Sequence, residues 1–272
     1  MTTEQQRVQA VILDWAGTMV DYGSRAPVEA FIRLFAERGV EVSDEAVRKP
    51  MGRMKLDHLR DICADGEVKQ AWKARYGSEP GEQDVQEMYR EFEPMLMSTL
   101  DRFADPVPGA LALQDRLRAA GIRIGTTTGY TREMMAVIEP AAAEKGYAPD
   151  AVVTPDEMPR GGRPHPWMIF RNAEVLGIYP LSAYVKCGDT PADMREGRNA
   201  GVWTVGVVFG GNELGLSQDE VAALSEDERE RRFREIAAGL EAAGAHAVIR
   251  EIGDLDRFIE TVNERLAKGE RP

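Results

Sequence analysis

Three short polar strings in this 272-residue chain carry side chains able to do chemistry: Asp14-Trp15-Ala16-Gly17-Thr18, Thr126-Thr127-Thr128-Gly129-Tyr130 and Gly188-Asp189-Thr190-Pro191-Ala192-Asp193. Each follows a short apolar run. An aspartate after a strand is usually a turn or cap residue. Three such strings at one sheet edge, with a long insertion beside the first, are hard to explain by structure alone. The residue types point to phosphoryl transfer. Asp14 can act as a carboxylate nucleophile, giving an aspartyl-phosphate. Asp14 and Asp189 together offer hard oxygen ligands suited to Mg²⁺. Asp193 lies one helical turn after Asp189, with Thr190 between them, and can orient a ligand or a coordinated water. Thr128 and the backbone N–H of Gly129 can hold phosphoryl oxygens, because glycine lets the main chain approach closely.

Such groups must be positioned by a parallel sheet, whose ligands bind beyond the carboxyl ends of its strands. Val8–Leu13 reads as a buried strand that ends abruptly at Asp14. Further strands are predicted at Ile122–Thr127, Ala151–Thr154, Ala183–Cys187, Val202–Val208 and Ala245–Ile249. Helices are predicted at Pro108–Ala120, Thr131–Lys145, Pro166–Leu176, Pro191–Ala200, Asp219–Ala243 and Asp254–Lys268, with Pro140 kinking or splitting the second. This alternation implies βαβ units with helices on both faces.

The stretch from Tyr22 to Leu100 has only helical periodicity. Val28, Phe31, Ile32, Leu34 and Phe35 form one apolar stripe, and Met88, Phe92, Met95 and Leu96 another. The expected fold class is therefore α/β, a Rossmann-like parallel-sheet core with an inserted all-helical cap. Residues 1–21 and 102–272 form the core and 22–101 the cap. Asp21–Ala26 and Asp101–Pro108 are the hinges.

Composition excludes several functions. There are 34 Lys and Arg against 46 Asp and Glu, a net charge of −12. Non-specific nucleic-acid binding, which needs a basic surface, is not expected. An anionic substrate must then be held by a local cluster of cations, metal or backbone N–H groups. No apolar run reaches the roughly 18 residues of a membrane helix. The N-terminus lacks the basic and apolar regions of a signal peptide. Cys63 and Cys187 are far apart and in no metal-binding spacing, so a reducing cytoplasm is expected.

The order DxxGT, TTTG, an arginine ahead of a helix and GDTxxD resembles the haloacid dehalogenase superfamily. Most phosphatases of that superfamily read DxDGT, and the second Asp serves as acid and base; here Ala16 stands in its place. The strings DWAGTMVDYG, RKPMGRMKLDHLR, TTGYTREMM, GRPHPWM and GDTPADMREGRNAG resemble the phosphonoacetaldehyde hydrolase (phosphonatase) family, from about Val8 to Val208. The resemblance implies hydrolysis of a carbon–phosphorus bond, giving acetaldehyde and phosphate, in a cytoplasmic enzyme. It implies a Schiff base at Lys55 and a phosphoryl-binding cation at Arg163. It also implies Mg²⁺ held by Asp14, Asp189 and the backbone C=O of Ala16, and a homodimer formed through the cap. Where that family often has cysteine, this chain has Ser24.

The chemistry agrees with the missing acid. A departing carbon needs an electron sink, which an iminium supplies and a carboxylic acid does not. Met51, Lys55 and His58 at i, i+4 and i+7 fall on one predicted helical face, beside Leu56, Leu59 and Ile62. Several readings stay open. A lone lysine is ordinarily a solvated charge. His58 is a proton shuttle or a surface histidine. Met51 and Tyr130 wall the substrate or pack the core. Lys186 is an alternative cation, unless its place on a strand turns it away. The Val28–Phe35 helix is a dimer interface or cap interior. Two rival functions stand beside the main one: a phosphate-ester phosphatase of the same superfamily, and a non-catalytic relative that binds a phospho-ligand.

Overall fold

The apolar run before Asp14 forms β1 (Ala10–Leu13), all four residues buried, as a strand covered on both faces must be. The structure, a computed structural model, describes residues 7–272. Residues 1–6, which begin the predicted core segment and the N-terminus read as carrying no signal peptide, lie outside the described residues. After β1 come five helices: α1 (Arg25–Ala36), α2 (Asp44–Arg48), α3 (Lys55–Ala64), α4 (Gly66–Tyr76) and α5 (Glu82–Met97). The chain then alternates through α6 (Ala110–Ala119), β2 (Arg123–Thr127), α7 (Arg132–Glu144), β3 (Ala151–Val153), α8 (Trp167–Leu176), β4 (Tyr184–Gly188), α9 (Pro191–Ala200), β5 (Trp203–Val207), α10 (Gln218–Ala223), α11 (Glu226–Ala242), β6 (Ala247–Ile249) and α12 (Leu255–Ala267).

The six strands are all parallel, in the order β3-β2-β1-β4-β5-β6. This is the doubly wound, Rossmann-like arrangement, and its order reverses at β1. The crevice at that reversal lies beyond the ends of β1, β2 and β4, the three strands that the polar strings follow. Leu13 is in register with Thr126 on one side and Cys187 on the other. Asp14, Thr128 and Asp189 therefore emerge together. Among the described residues no helix is long and apolar enough to cross a membrane.

The five inserted helices have their own apolar interior. Phe31, Leu34 and Phe35 of α1 are buried with Met88, Phe92 and Leu96 of α5, and the rings of Phe31 and Phe92 stack at 4.1 Å. The Val28–Phe35 stripe is thus packed inside this helical segment. Of its residues only Ile32 is exposed.

Three local expectations need correction. Pro140 lies inside α7 without splitting it. Proline removes one N–H, and Met134, Met135, Ile138 and Ala142 stay buried on both sides of it, so the helix continues. The single helix predicted over Asp219–Ala243 is two, because Leu224 is extended and the Ser225 hydroxyl accepts from the Glu228 N–H to begin α11. Finally, α3 begins at Lys55, since Met54 has ψ 136°. Met51 therefore sits in the preceding turn and shares no helical face with Lys55 and His58.

Candidate active site

Beyond the sheet's switch point, Asp14, Ala16, Thr128, Gly129, Tyr130, Arg163 and Thr190 meet Ser24, Met51, Gly52 and Lys55 around a small cavity. The first group comes from the strand ends and the loop before α8. The second comes from the residue before α1, the turn before α3 and the first residue of α3. Only a small space is left among them. Two glycines permit the close approach of the two groups. A Cβ on Gly129 would meet the Arg53 carbonyl oxygen at 2.5 Å, and one on Gly52 would collide with the Thr190 hydroxyl.

Carboxylate oxygens of Asp14, Asp189 and Asp193, all buried, lie within 4.8 Å of one another. Burial pushes Asp14 above the usual carboxylate range, although the Arg163 guanidinium pulls the other way. Asp189 is pushed well above it, by burial and by the charges of Asp14 and Asp193. Asp189 accepts from the Thr18 hydroxyl at 3.2 Å and from the Asn212 backbone N–H at 2.7 Å. Neither of these donors carries a charge.

Asp193 is different. Burial alone would raise it, but Arg163 and Lys186 outweigh that and hold it low. Lys186 Nζ is 2.7 Å from Oδ1, and the Thr190 hydroxyl donates to Oδ2 at 2.5 Å. Asp193 is therefore committed to cations and to capping α9. Asp189 has no cationic side chain in ion-pair contact among the described residues, and Asp14 shares Arg163 with Asp193 and Glu196; hard oxygen donors of that kind suit a divalent cation.

Arg163 is 5% exposed and its donors fan out. Nη2 donates to Asp14 Oδ1 at 2.6 Å and to the Thr127 carbonyl at 2.8 Å, Nη1 to the Gly52 carbonyl at 3.2 Å, and Nε to Glu196 Oε2 at 3.0 Å. Its charge is held more firmly than usual, against the effect of burial, by Asp14, Asp193 and Glu196. Lys186 does not turn away from the site. Its Nζ donates to the Thr127 hydroxyl at 3.0 Å, just behind the cavity wall. Local sequence gave no sign of Glu196, whose Oε2 also accepts from Thr127 Oγ1 at 2.9 Å. Glu196 lies in the second turn of α9, and its partners Arg163 and Thr127 are 33 and 69 residues distant in sequence.

Lys55 is 3% exposed, with Nζ 3.7 Å from Met51 Sδ and 5.0 Å from the Tyr130 ring centroid. Burial lowers its pKa to about 8, with Arg163 adding to the shift and Asp14 opposing it. The turn before α3 thus achieves the Met51–Lys55 contact that a shared helical face was expected to make. Tyr130 is buried, and its hydroxyl has no hydrogen-bond partner among the described residues.

His58 does not line the cavity and is not on the surface. Its ring lies 4.4 Å from that of Phe31, and Nε2 is 2.7 Å from the Val47 carbonyl, inside the helical segment. Burial, and then Lys55, hold it well below the ordinary histidine range, so it is neutral. Asp21, expected only as a hinge end, accepts from the N–H groups of Arg25 and Ala26 at 2.9 and 3.0 Å, and burial raises it to about 7. It anchors the start of α1 while its own N–H donates to the Asp105 carbonyl, which joins the two predicted hinges.

The haloacid dehalogenase-like hydrolase family matches residues 8–201. A phosphonoacetaldehyde hydrolase of Bacillus cereus is 46% identical over 259 residues, covering 95% of this chain and 98% of that protein. One of Bacillus thuringiensis is 47% identical over 264 residues, with 97% and 98% covered. The bifunctional phosphonoacetaldehyde hydrolase/aminoethylphosphonate transaminase of Clostridioides difficile is 47% identical over 262 residues; these are 96% of this chain but 41% of that protein. Among solved structures, a phosphonoacetaldehyde hydrolase-like protein from Oleispira antarctica superposes with a TM-score of 0.94 at 40% identity, covering 97% of this chain and 96% of that one.

Proposed function

The chain belongs to the haloacid dehalogenase-like hydrolases and, within them, to the phosphonoacetaldehyde hydrolases, and from that premise we propose that it hydrolyses phosphonoacetaldehyde to acetaldehyde and phosphate. The observation that carries this reading is one small cavity lined by both Asp14 and the buried Lys55, with Ala16 beside them offering no acid. The neutral Lys55 amine adds to the aldehyde carbon, and with uptake of one proton from solvent the former carbonyl oxygen leaves as water, giving an iminium. A carboxylate oxygen of Asp14 attacks phosphorus. The electron pair of the breaking carbon–phosphorus bond moves into the iminium, leaving an enamine on Lys55 and the phosphoryl group on Asp14. The enamine carbon takes up a proton, water releases acetaldehyde and frees the amine, and a second water cleaves the aspartyl-phosphate. One water is consumed overall.

Arg163 donates to Asp14, opposing the effect of burial on that carboxyl, and faces the cavity, where phosphonate oxygens can share its donors. Thr128 and the Gly129 N–H supply neutral donors beside it. Met51 and Tyr130 wall the aldehyde end and keep water from Lys55. Thr190 and Asp193 fix the start of α9 and the orientation of Arg163, while His58 acts through the packing of α3. Mg²⁺ is the proposed metal, held by Asp14, Asp189 and the Ala16 carbonyl; when bound it offsets the negative charge of the carboxylates and the phosphonate.

Residues 1–21 and 102–272 are assigned to the catalytic core and 22–101 to a cap that closes about Asp21–Ala26 and Asp101–Pro108. A cytoplasmic homodimer joined through the cap completes the reading. The exposed Ile32 and Tyr76, on α1 and α4, support that face. Sedimentation velocity is expected to give twice the chain mass, and a Tyr76→Glu variant is expected to shift toward the monomer.

Lys55→Arg tests the activity itself, because it keeps the charge and removes the condensable amine. Phosphate release from phosphonoacetaldehyde is expected to fall by about 10³-fold or more, with the melting temperature little changed. Wild-type protein treated with EDTA is expected to be inactive until Mg²⁺ is restored. Turnover of a phosphate ester at equal rates by wild type and Lys55→Arg would instead favour the phosphatase reading.

A further inference from the structure

Behind the cavity, the helical segment touches the sheet's loops at a second place. Arg48, the last residue of α2, has a side chain only 14% exposed. Its Nη1 donates to the Gly23 carbonyl at 2.8 Å and to Asn212 Oδ1 at 3.3 Å, and its Nη2 donates to the Gly215 carbonyl at 3.2 Å. Asn212, fully buried, answers with Nδ2 to the Arg48 carbonyl at 3.2 Å. The same loop is tied to the first hinge, where the Gly23 N–H donates to the Gly210 carbonyl at 2.6 Å. Arg48, Gly23 and the loop over residues 210–215 therefore form one bonded unit spanning helical segment, hinge and sheet.

The unit ends on a carboxylate. The backbone N–H of Asn212 donates to Asp189 Oδ2 at 2.7 Å. Gly17 packs so closely against the same oxygen that a Cβ there would collide with it. Asp189 Oδ2 is thus packed against Gly17 and bonded to the Asn212 amide, and a shift of the 210–215 loop disturbs that bond. If the helical segment swings away, Arg48 leaves Asn212 and Gly215, and that loop loses the contacts that hold the amide in place.

We infer that Arg48 and Asn212 are positioning residues, a latch that couples seating of the helical segment to the orientation of Asp189 for the divalent cation. The inference rests on the proposed role of Asp189 as a cation ligand. By linkage, a cation that prefers the latched arrangement also favours it, and to the same extent. The Asn212 side chain is a clean handle, since replacing it cuts the bond to Arg48 and leaves the backbone donor to Asp189 in place.

Mn²⁺ binding to the full chain without substrate, followed by the electron paramagnetic resonance of free Mn²⁺, tests the latch apart from catalysis. Arg48→Ala and Asn212→Ala are each expected to weaken Mn²⁺ binding by about tenfold. The double variant is expected to bind no more weakly than the worse single variant, because both cut one link. Arg48→Lys keeps the charge but cannot reach Gly23, Asn212 and Gly215 together, and is expected to bind more weakly than wild type even if Arg48→Ala does not fold. Wild-type affinity in Asn212→Ala and Arg48→Lys, or losses that simply add in the double variant, would overturn the latch. Failure of the wild type to bind Mn²⁺ would overturn the cation-ligand role of Asp189 instead.

Discussion

Lys55 sits among apolar and aromatic atoms, and among the described residues no carboxylate is within ion-pair distance of its ammonium. Its charge is therefore disfavoured in the folded chain, which suits an amine that must react when neutral. At a pKa of about 8, about a tenth of the population is unprotonated at pH 7. The same shift destabilises the fold. The folded pKa lies below the unfolded value of 10.5, so the cost is full below pH 8 and disappears as the pH rises to the unfolded value. Lys55→Met is expected to be more stable than wild type at pH 7, by about 3 kcal/mol. In thermal melts from pH 7 to 10.5 that advantage should shrink above pH 8; a constant difference would mean that burial does not set the charge of Lys55. At this scale the sequence was informative where a residue sits in a short local string, as Asp14, Thr128 and Asp189 do. Glu196 and Asn212 act at the site through partners that the fold brings from far along the chain, and nothing in their local spacing marks them.

At the scale of elements, the βαβ alternation was readable because fully buried parallel strands leave short β-branched runs. The predicted strands at 122–127, 151–154 and 202–208 match β2, β3 and β5 to within a residue or two. Helix starts were less legible, since they depend on one residue's backbone angles or hydroxyl. Met54 fixes where α3 begins, and Ser225 divides α10 from α11. The positions of α3 and of the loop after β2 rest on a near contact of main chain with main chain at Gly129 and Arg53. Gly129→Ala is expected to push the turn before α3 outward and to separate Lys55 from Asp14. Misplacement of this size costs about 10²-fold in kcat/KM. Steady-state kinetics with melting temperature as the control will test this, and wild-type kcat/KM would show that the approach is not needed for catalysis.

For the whole molecule, a chain of net charge −12 places Arg163, Lys186 and Lys55 beside or behind one cavity at the switch point of its sheet. Four carboxylates, those of Asp14, Asp189, Asp193 and Glu196, are buried with them. Carboxylates therefore outnumber cations there even before a phosphonate arrives, a deficit that a divalent cation would offset. The helical segment brings Lys55 and the sheet brings Asp14, so the proposed chemistry belongs to neither part alone. Borohydride reduction in the presence of phosphonoacetaldehyde tests this most directly, because it converts an imine into a stable secondary amine. The account predicts inactivation that depends on substrate, with a two-carbon mass label confined to the peptide containing Lys55 and absent from Lys55→Arg. Labelling at another lysine, or full activity after reduction in the presence of substrate, would contradict it.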